Sequence, residues 1–519
     1  MYTLHAIDTV VVDERAVQES FKVSDFIAAG DAMMQAGNQQ SADTYYGDAA
    51  YFLLTDFFYP QYMAAALKAG IFDELDHQSQ TSYALAAKLQ LDHAMLDLLL
   101  RTLGKLQLVE KTGLLFKLTP AGSSCIENKD LILFITSQIY DDWGQVADAL
   151  NGQKVFAMSV ENELRVTRFL GNTVWRLPYA FDERDVMYTV CEHSIVGNIA
   201  LGFINSQIVA LGVTSGIFAA IDCGEDTVDR LSRVIHWRAS REKLVKVLEH
   251  LQSLQLINSR DGYYILNPVG RILLQDNRIS LYHGANIISK EFYATWRHCL
   301  HTLKTGACAL NCVYQKGFFD YLDLHPERRT FFSEYMGETM RTWLLPLSHK
   351  YPFAGRIIDL GGADESVLAS IIRDNSSVMQ AVNFERRGYF NTRDRRNGID
   401  QLEGDFFEHV PDGYDLYLVS RVFWDWDNGK VITLLKNIHQ SMSDDARLLI
   451  VDGILEECYS KGSLGGAMFS PIVTDGGRVR PLAEYKELYA ATGFELISCC
   501  RVHDSAMALS LMELKKLTR

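Results

Sequence analysis

No run of apolar residues in the 519-residue chain approaches the ~20 needed to cross a bilayer. The N-terminus carries Asp8, Asp13 and Glu14 and lacks the apolar stretch of a signal peptide. A cytoplasmic protein with no membrane partner is expected. Positive charge is also in deficit: 50 Lys and Arg against 65 Asp and Glu give a formal net charge of −15. A surface of that sign disfavours nucleic acid, whose phosphates require cations. The nine cysteines form no C-x-x-C pair. Cys308 and Cys312 lie four apart and Cys499 and Cys500 are adjacent, but no histidine pattern completes a metal set. Free, mostly buried thiols and no metal are expected. The absence of G-x-G-x-x-G disfavours a nicotinamide-dependent oxidoreductase.

What is present is the composition of a globular protein, 48% hydrophobic and 22% charged, with length for two to four domains at ~150 residues each. Residues 1–47 read as an N-terminal arm with one short helix over 23–35. From Tyr51 the apolar residues Phe52, Leu53, Phe57, Met63, Ala66 and Leu67 recur at helical spacing. Two further helices, 82–89 and 93–106, precede a strand pair closed by Thr119-Pro-Ala-Gly122. Three helices and a small hairpin make a winged-helix pattern.

That pattern occurs twice. Gly216-Ile-Phe-Ala-Ala-Ile-Asp222 repeats Gly70-Ile-Phe-Asp-Glu-Leu-Asp76 at an offset of 216 − 70 = 146. Leu254-Gln-Leu-Ile257 repeats Leu106-Gln-Leu-Val109 at 148, and Pro268 repeats Pro120 at 148. Trp296, in Tyr293-Ala-Thr-Trp296, echoes Trp143 in Tyr140-Asp-Asp-Trp143. A period this long excludes a solenoid and implies tandem domains. The expected boundaries are 48–195 for the first module, 196–346 for the second with its linker helices, and 347–519 for a third domain.

The third domain alternates strands and helices. Strands are expected at 356–360, 381–385, 399–402, 414–419, 447–452, 494–501 and 506–513, giving an open, mostly parallel α/β sheet. Only Val502-His-Asp-Ser505 separates the last two, too short for a parallel crossover, so they should close as an antiparallel hairpin at the sheet edge. Arg356-Ile-Ile-Asp-Leu-Gly-Gly-Ala-Asp-Glu-Ser366 reads as strand, glycine turn and helix start. Such a turn lets a backbone approach a nucleotide-like ligand. Glu385 ends the next strand, placed to accept both hydroxyls of a ribose. Gly404-Asp-Phe-Phe follows the third strand and can set Asp405 near a base edge with Phe406 against its ring.

Gly404-Asp-Phe-Phe-Glu-His-Val-Pro411, Val422-Phe-Trp-Asp-Trp-Asp427 and Leu434-Leu-Lys-Asn-Ile-His-Gln-Ser-Met442 together resemble the S-adenosylmethionine-dependent small-molecule O-methyltransferases of plant phenylpropanoid and bacterial polyketide metabolism. The resemblance spans about residues 200–519, and the first module separately resembles that family's N-terminal dimerisation domain. It implies a Rossmann-like methyltransferase domain behind two mainly helical winged-helix-like domains. It further implies S-adenosylmethionine as cofactor, a small-molecule substrate, and a homodimer or an intrachain pseudo-dimer. Asp359, Gly361 and Gly362 would line the methionine end of the cofactor, Glu385 the ribose, and Gly404, Asp405 and Phe406 the adenine. Ser420 and Arg421 would flank the sulfonium. Met336, Trp343, Phe423 and Trp424 would wall the substrate, with Asp452, Asp425 and Trp424 at the catalytic positions.

The departures from the family pattern fall on the chemistry. Where the family has a histidine base before Asp-Trp, this chain has Trp424, and an indole accepts no proton. A supporting glutamate is replaced by Val479, and Ala363 and Glu365 stand at glycine positions. Glu365 is either a favourable acid at a helix N-terminus or an obstruction beside the cofactor's carboxylate. The readings left open are methyl transfer by proximity, a rearrangement, decarboxylation or hydroxylation beside a bound sulfonium, and a non-catalytic interaction protein.

Overall fold

The computed structural model describes residues 23–146, 194–362, 365–387, 389–390, 398–461, 467–503 and 507–517. Helix Val23–Gln35 lies where the 3.6-residue pattern puts it. Helix Gln39–Thr55 follows and runs through the expected arm boundary at 47. Helix Ser194–Thr214 likewise spans the expected boundary at 195.

The first module contains helices Phe58–Lys68, Ile71–His77, Ser82–Leu89 and His93–Lys105. Its wing joins β1 (Gln80–Thr81), β3 (Leu115–Leu118) and β2 (Val109–Thr112) in that order. The second has helices Ser194–Thr214, Ile217–Asp222, Val228–Val234 and Arg241–Ser253, then hairpin β4 (Ile257–Arg260) and β5 (Tyr263–Leu266). The duplication reaches atomic detail. Thr81 and Thr227, 146 apart, cap their helices by accepting from backbone N–H groups. A Cβ on Gly122 would sit 2.1 Å from the Leu108 carbonyl, and one on Gly270 2.1 Å from the Leu256 carbonyl; only glycine lets helix and wing approach so closely. Each module carries a π-turn, Ile135–Ile139 and Ile288–Phe292, at the matched position.

The C-terminal sheet comprises β6 (Gly355–Leu360), β7 (Val378–Glu385), β8 (Ile399–Glu403), β9 (Leu416–Ser420), β10 (Arg447–Gly453), β11 (Phe494–Arg501) and β12 (Leu509–Lys516), in the order β11-β12-β10-β9-β6-β7-β8. From β10 to β8 all pairs are parallel, while β12 is antiparallel to both β10 and β11. The expected edge hairpin is present, but its second strand begins three residues later than 506. Leu509, Leu511, Met512 and Leu514 are all buried, so a strand covered on both faces offers no alternation to set its ends. Strand order reverses between β6 and β9, and at such a switch point the C-terminal strand ends open a crevice.

Candidate active site

Strand β6 ends in Asp359-Leu360 and turns at Gly361, whose φ of 81° suits a residue without a side chain. The Gly361 N–H donates to the Phe384 carbonyl at 2.8 Å, tying the turn to β7. A Cβ on Gly362 would lie 2.6 Å from Asp359 Oδ2 and 2.8 Å from Asn383 Oδ1, so the backbone is drawn tight against both side chains. Ala363 lies outside the described residues. Glu365 accepts from Gln401 Nε2 at 2.6 Å and lines neither cavity described below. Its carboxylate is turned toward β8 instead of the crevice.

Four buried polar side chains on β6, β7 and at the end of β9 leave atoms unsatisfied; Ser420 and Arg421 line the cavities described below, while Asp359 and Asn383 sit beneath the Gly361-Gly362 turn and line neither. Among the described residues, Asp359 Oδ1, both amide atoms of Asn383, Ser420 Oγ and Arg421 Nε have no hydrogen-bond partner. Such atoms are rare in folded proteins and concentrate where a ligand supplies the missing partner. Asn383 was not among the sequence candidates; its one signal is an amide inside the otherwise apolar centre of β7. Burial, with Glu385 adding repulsion, pushes the Asp359 carboxyl up to about 7.

Two cavities meet at this edge. One, of about 680 Å³, is lined by Gly361, Glu385, Phe406, Ser420, Arg421 and Asp425 among others. The other, of about 720 Å³, has an apolar wall including Phe318, Phe469, Trp424 and Val479. Phe319, Phe332, Met336, Arg421 and Asp425 line both, so a ligand in each would meet across these five side chains. Arg421 adopts a φ of 59° and donates to Thr339 Oγ1. Among the described residues no carboxylate lies within ion-pair distance of it, leaving a buried cation in want of an anion.

The Trp424 N–H donates to Asp452 Oδ2 at 3.1 Å, and the Gly453 N–H donates to Oδ1 at 2.8 Å. Asp452 is fully buried and lines neither cavity; it holds the Trp424 loop to β10. Burial pushes its carboxyl up to about 7, and burial plus the Asp452 charge pushes Asp425 up to about 8. Asp405 accepts from the Phe407 N–H at 2.8 Å, shaping its own turn, and Gly404 packs on the Phe384 ring.

Two expected wall residues are corrected. Trp343 is 1% exposed, lines neither cavity, and donates its indole N–H to Asp48 at 2.7 Å. Phe423 is fully buried in the core behind the loop, its carbonyl accepting from Arg480 at 2.8 Å. A one-residue step in a short 3₁₀ turn sends Trp424 and Phe423 in different directions. Conversely, Tyr51 and Tyr335 enter the aromatic wall. Among the described residues no cluster of acids, histidines or cysteines suits a metal ion, and no helix is long and apolar enough to cross a membrane.

Residues 296–495 match the O-methyltransferase domain, and residues 52–128 match the O-methyltransferase dimerisation domain. The chain is 29% identical over 309 residues to the 3-amino-4-hydroxybenzoate 4-O-methyltransferase of Streptomyces cremeus, covering 57% of this chain and 84% of that protein. It is 27% identical over 342 residues to the phenazine O-methyltransferase PhzM of Lysobacter antibioticus, covering 62% and 98% respectively. The crystal structure of human N-acetylserotonin methyltransferase in complex with S-adenosylmethionine superposes with a TM-score of 0.57, covering 64% of this chain and all of that one at 19% identity. At that identity the likeness establishes the fold. In each comparison more than a third of this chain has no counterpart.

Proposed function

Because the chain belongs to the S-adenosylmethionine-dependent family of small-molecule O-methyltransferases, we propose that it methylates a small aromatic metabolite by alignment, without a histidine base. The observation that carries this reading is the set of unsatisfied buried atoms on Asp359, Asn383, Ser420 and Arg421 beside the tight Gly361-Gly362 turn. These fit an amino-acid and nucleoside ligand: Arg421 answers a carboxylate, Asp359 and Asn383 answer donors, and Glu385 is placed for ribose hydroxyls. Bound there, S-adenosylmethionine would supply an electrophilic methyl group on a sulfonium.

The chain's own contribution is positioning and exclusion of water. Phe319, Phe332 and Met336 border both cavities and would press an aromatic acceptor toward the junction. Trp424 closes the acceptor side where a base is expected, so the nucleophile must carry a free lone pair without one: the phenolate of a phenol with electron-withdrawing substituents, a carboxylate or an unprotonated amine. Asp425, at the junction and with its carboxyl raised by burial, is a group able to hydrogen-bond that nucleophile. In this reading residues 347–519 form the catalytic unit and the helices of 196–346 complete its acceptor wall.

Calorimetric titration with S-adenosylmethionine and S-adenosylhomocysteine tests the first half. No binding of either at millimolar concentration would sink the proposal. Incubation with acidic phenols, beginning with 3-amino-4-hydroxybenzoate, and detection of S-adenosylhomocysteine tests the second. The loss of both the base and its supporting acid at Trp424 and Val479 favours one further reading, a non-methylating reaction beside the bound sulfonium. Cofactor binding with acceptor turnover but no S-adenosylhomocysteine would select it.

A further inference from the structure

The two N-terminal modules face each other. Tyr140 donates its hydroxyl to the Tyr293 carbonyl at 2.7 Å, and Tyr293 donates back to the Tyr140 carbonyl at 2.8 Å. Their rings stack at 4.0 Å and 3°. Tyr140 and Tyr293 are the matched residues that open the short helix following the π-turn of each copy. The surroundings obey the same exchange: Phe57 of the first copy lies 5.1 Å from Tyr293, and Phe203, its counterpart at an offset of 146, lies 5.3 Å from Tyr140. Residue i touching j′ while j touches i′ is the signature of a two-fold interface between identical subunits. Here it lies inside one polypeptide.

The symmetry is broken where it would be costly. Asp56 aligns with Gly202 at the same offset, and the two are in contact: a Cβ on Gly202 would stand 2.7 Å from the Asp56 carbonyl oxygen and 2.9 Å from its carboxylate. Asn205 donates to Asp56 at 2.7 Å, and His250 hydrogen-bonds Asn205 at 3.0 Å. Burial holds the Asp56 carboxyl up near 6. Pairing two first modules would bring two buried Asp56 side chains together and remove Asn205 from both, which like-charge repulsion and desolvation disfavour. The first module has diverged to fit the second, not itself.

The first module also reaches the site. Tyr51, on helix Gln39–Thr55, lines the aromatic cavity beside Tyr335 and Arg421. From the same helix Asp48 fixes the Trp343 indole, and Thr44 donates to the Thr342 carbonyl at 3.2 Å. One turn N-terminal to these, Thr339 holds Arg421.

We propose that the chain is a self-contained pseudo-dimer with one active site, in which the first module occupies a second subunit's place and completes the acceptor cavity with Tyr51. The inference rests on the family reading for the meaning of the cavity, but its geometry is independent of the reaction. One face pairs with its mate within the chain and is not left open to a second copy.

Light scattering and sedimentation of the full chain across a wide dilution series, with native mass spectrometry of mixed ¹⁴N- and ¹⁵N-labelled chains, test it. The expected result is a particle of 58.7 kDa at every concentration and two unmixed isotopic masses. A particle of twice that mass, or a mixed-isotope species, would overturn it. Titrating S-adenosylhomocysteine into the same samples separates the two proposals: a monomer that binds none leaves the pseudo-dimer standing and removes the methyltransferase reading.

Discussion

The indole of Trp424 lies against the guanidinium of Arg421, with 5.2 Å between the guanidinium carbon and the ring centroid. A cation on an aromatic face is attracted by the ring quadrupole, more so when both are out of water. Trp424 therefore lends a buried cation partial compensation while lining the aromatic cavity.

Trp424→His should restore a general base. For a phenol that is protonated at neutral pH, kcat should rise by ~10-fold or more, with a pH profile that climbs as the imidazole loses its proton. For an already ionised phenol it should change little. A variant equally slow on both would argue that the missing histidine does not limit the reaction.

Arg421→Leu removes the buried cation. The protein without ligand should lose no stability, since an uncompensated charge in the interior is unfavourable, and thermal denaturation should show an unchanged or higher Tm. Binding of S-adenosylhomocysteine should weaken by ~100-fold, about 3 kcal/mol. Affinity within threefold of the parent would detach Arg421 from the cofactor carboxylate.

Stability should depend on pH with a definite sign. Asp359, Asp452 and Asp425 have carboxyls raised to about 7, 7 and 8. A folded-state value above the unfolded one means that the native state holds the proton longer, so these groups stabilise fully below the unfolded value and lose that contribution as pH rises through the folded one. Buried His250, lowered to about 4, acts oppositely, but only up to its unfolded value of ~6.5. Between about pH 6.5 and 8.5 the Tm without ligand should fall, and Asp425→Asn should reduce that fall. A Tm that rises across this interval contradicts the assignment.

Tyr51→Phe deletes one hydroxyl from the acceptor wall and leaves its ring. Affinity for S-adenosylhomocysteine should stay within twofold, while KM for a phenolic acceptor should rise by ~10-fold at nearly constant kcat. An unchanged KM would place the acceptor away from the first module.

Much of this was legible without coordinates. The duplicated modules could be read because Gly70, Gly122 and Pro120 recur at Gly216, Gly270 and Pro268, positions where a left-handed turn, a close approach of helix and wing, and a helix start dictate the residue. The crossover strands of the sheet were legible for the same reason: each is a short apolar run bounded by turn residues. The Asp359–Gly362 turn and the indole at the base position are likewise local facts, visible in a dozen consecutive residues.

Side-chain direction between distant elements was not legible. Nothing near Asn383 marks it as facing Asp359 and Gly362, because its place depends on the parallel register of β6 and β7. Trp343 and Phe423 carry the composition of a substrate wall, yet Asp48 and the Arg480 contacts hold them behind it. Amino-acid sequence alone determined that the module exists twice and that an indole, Trp424, precedes Asp425-Trp426. Only tertiary structure decided that the two copies face each other across Tyr140 and Tyr293 and that Tyr51 reaches the cavity, because those contacts join residues 153 or more positions apart.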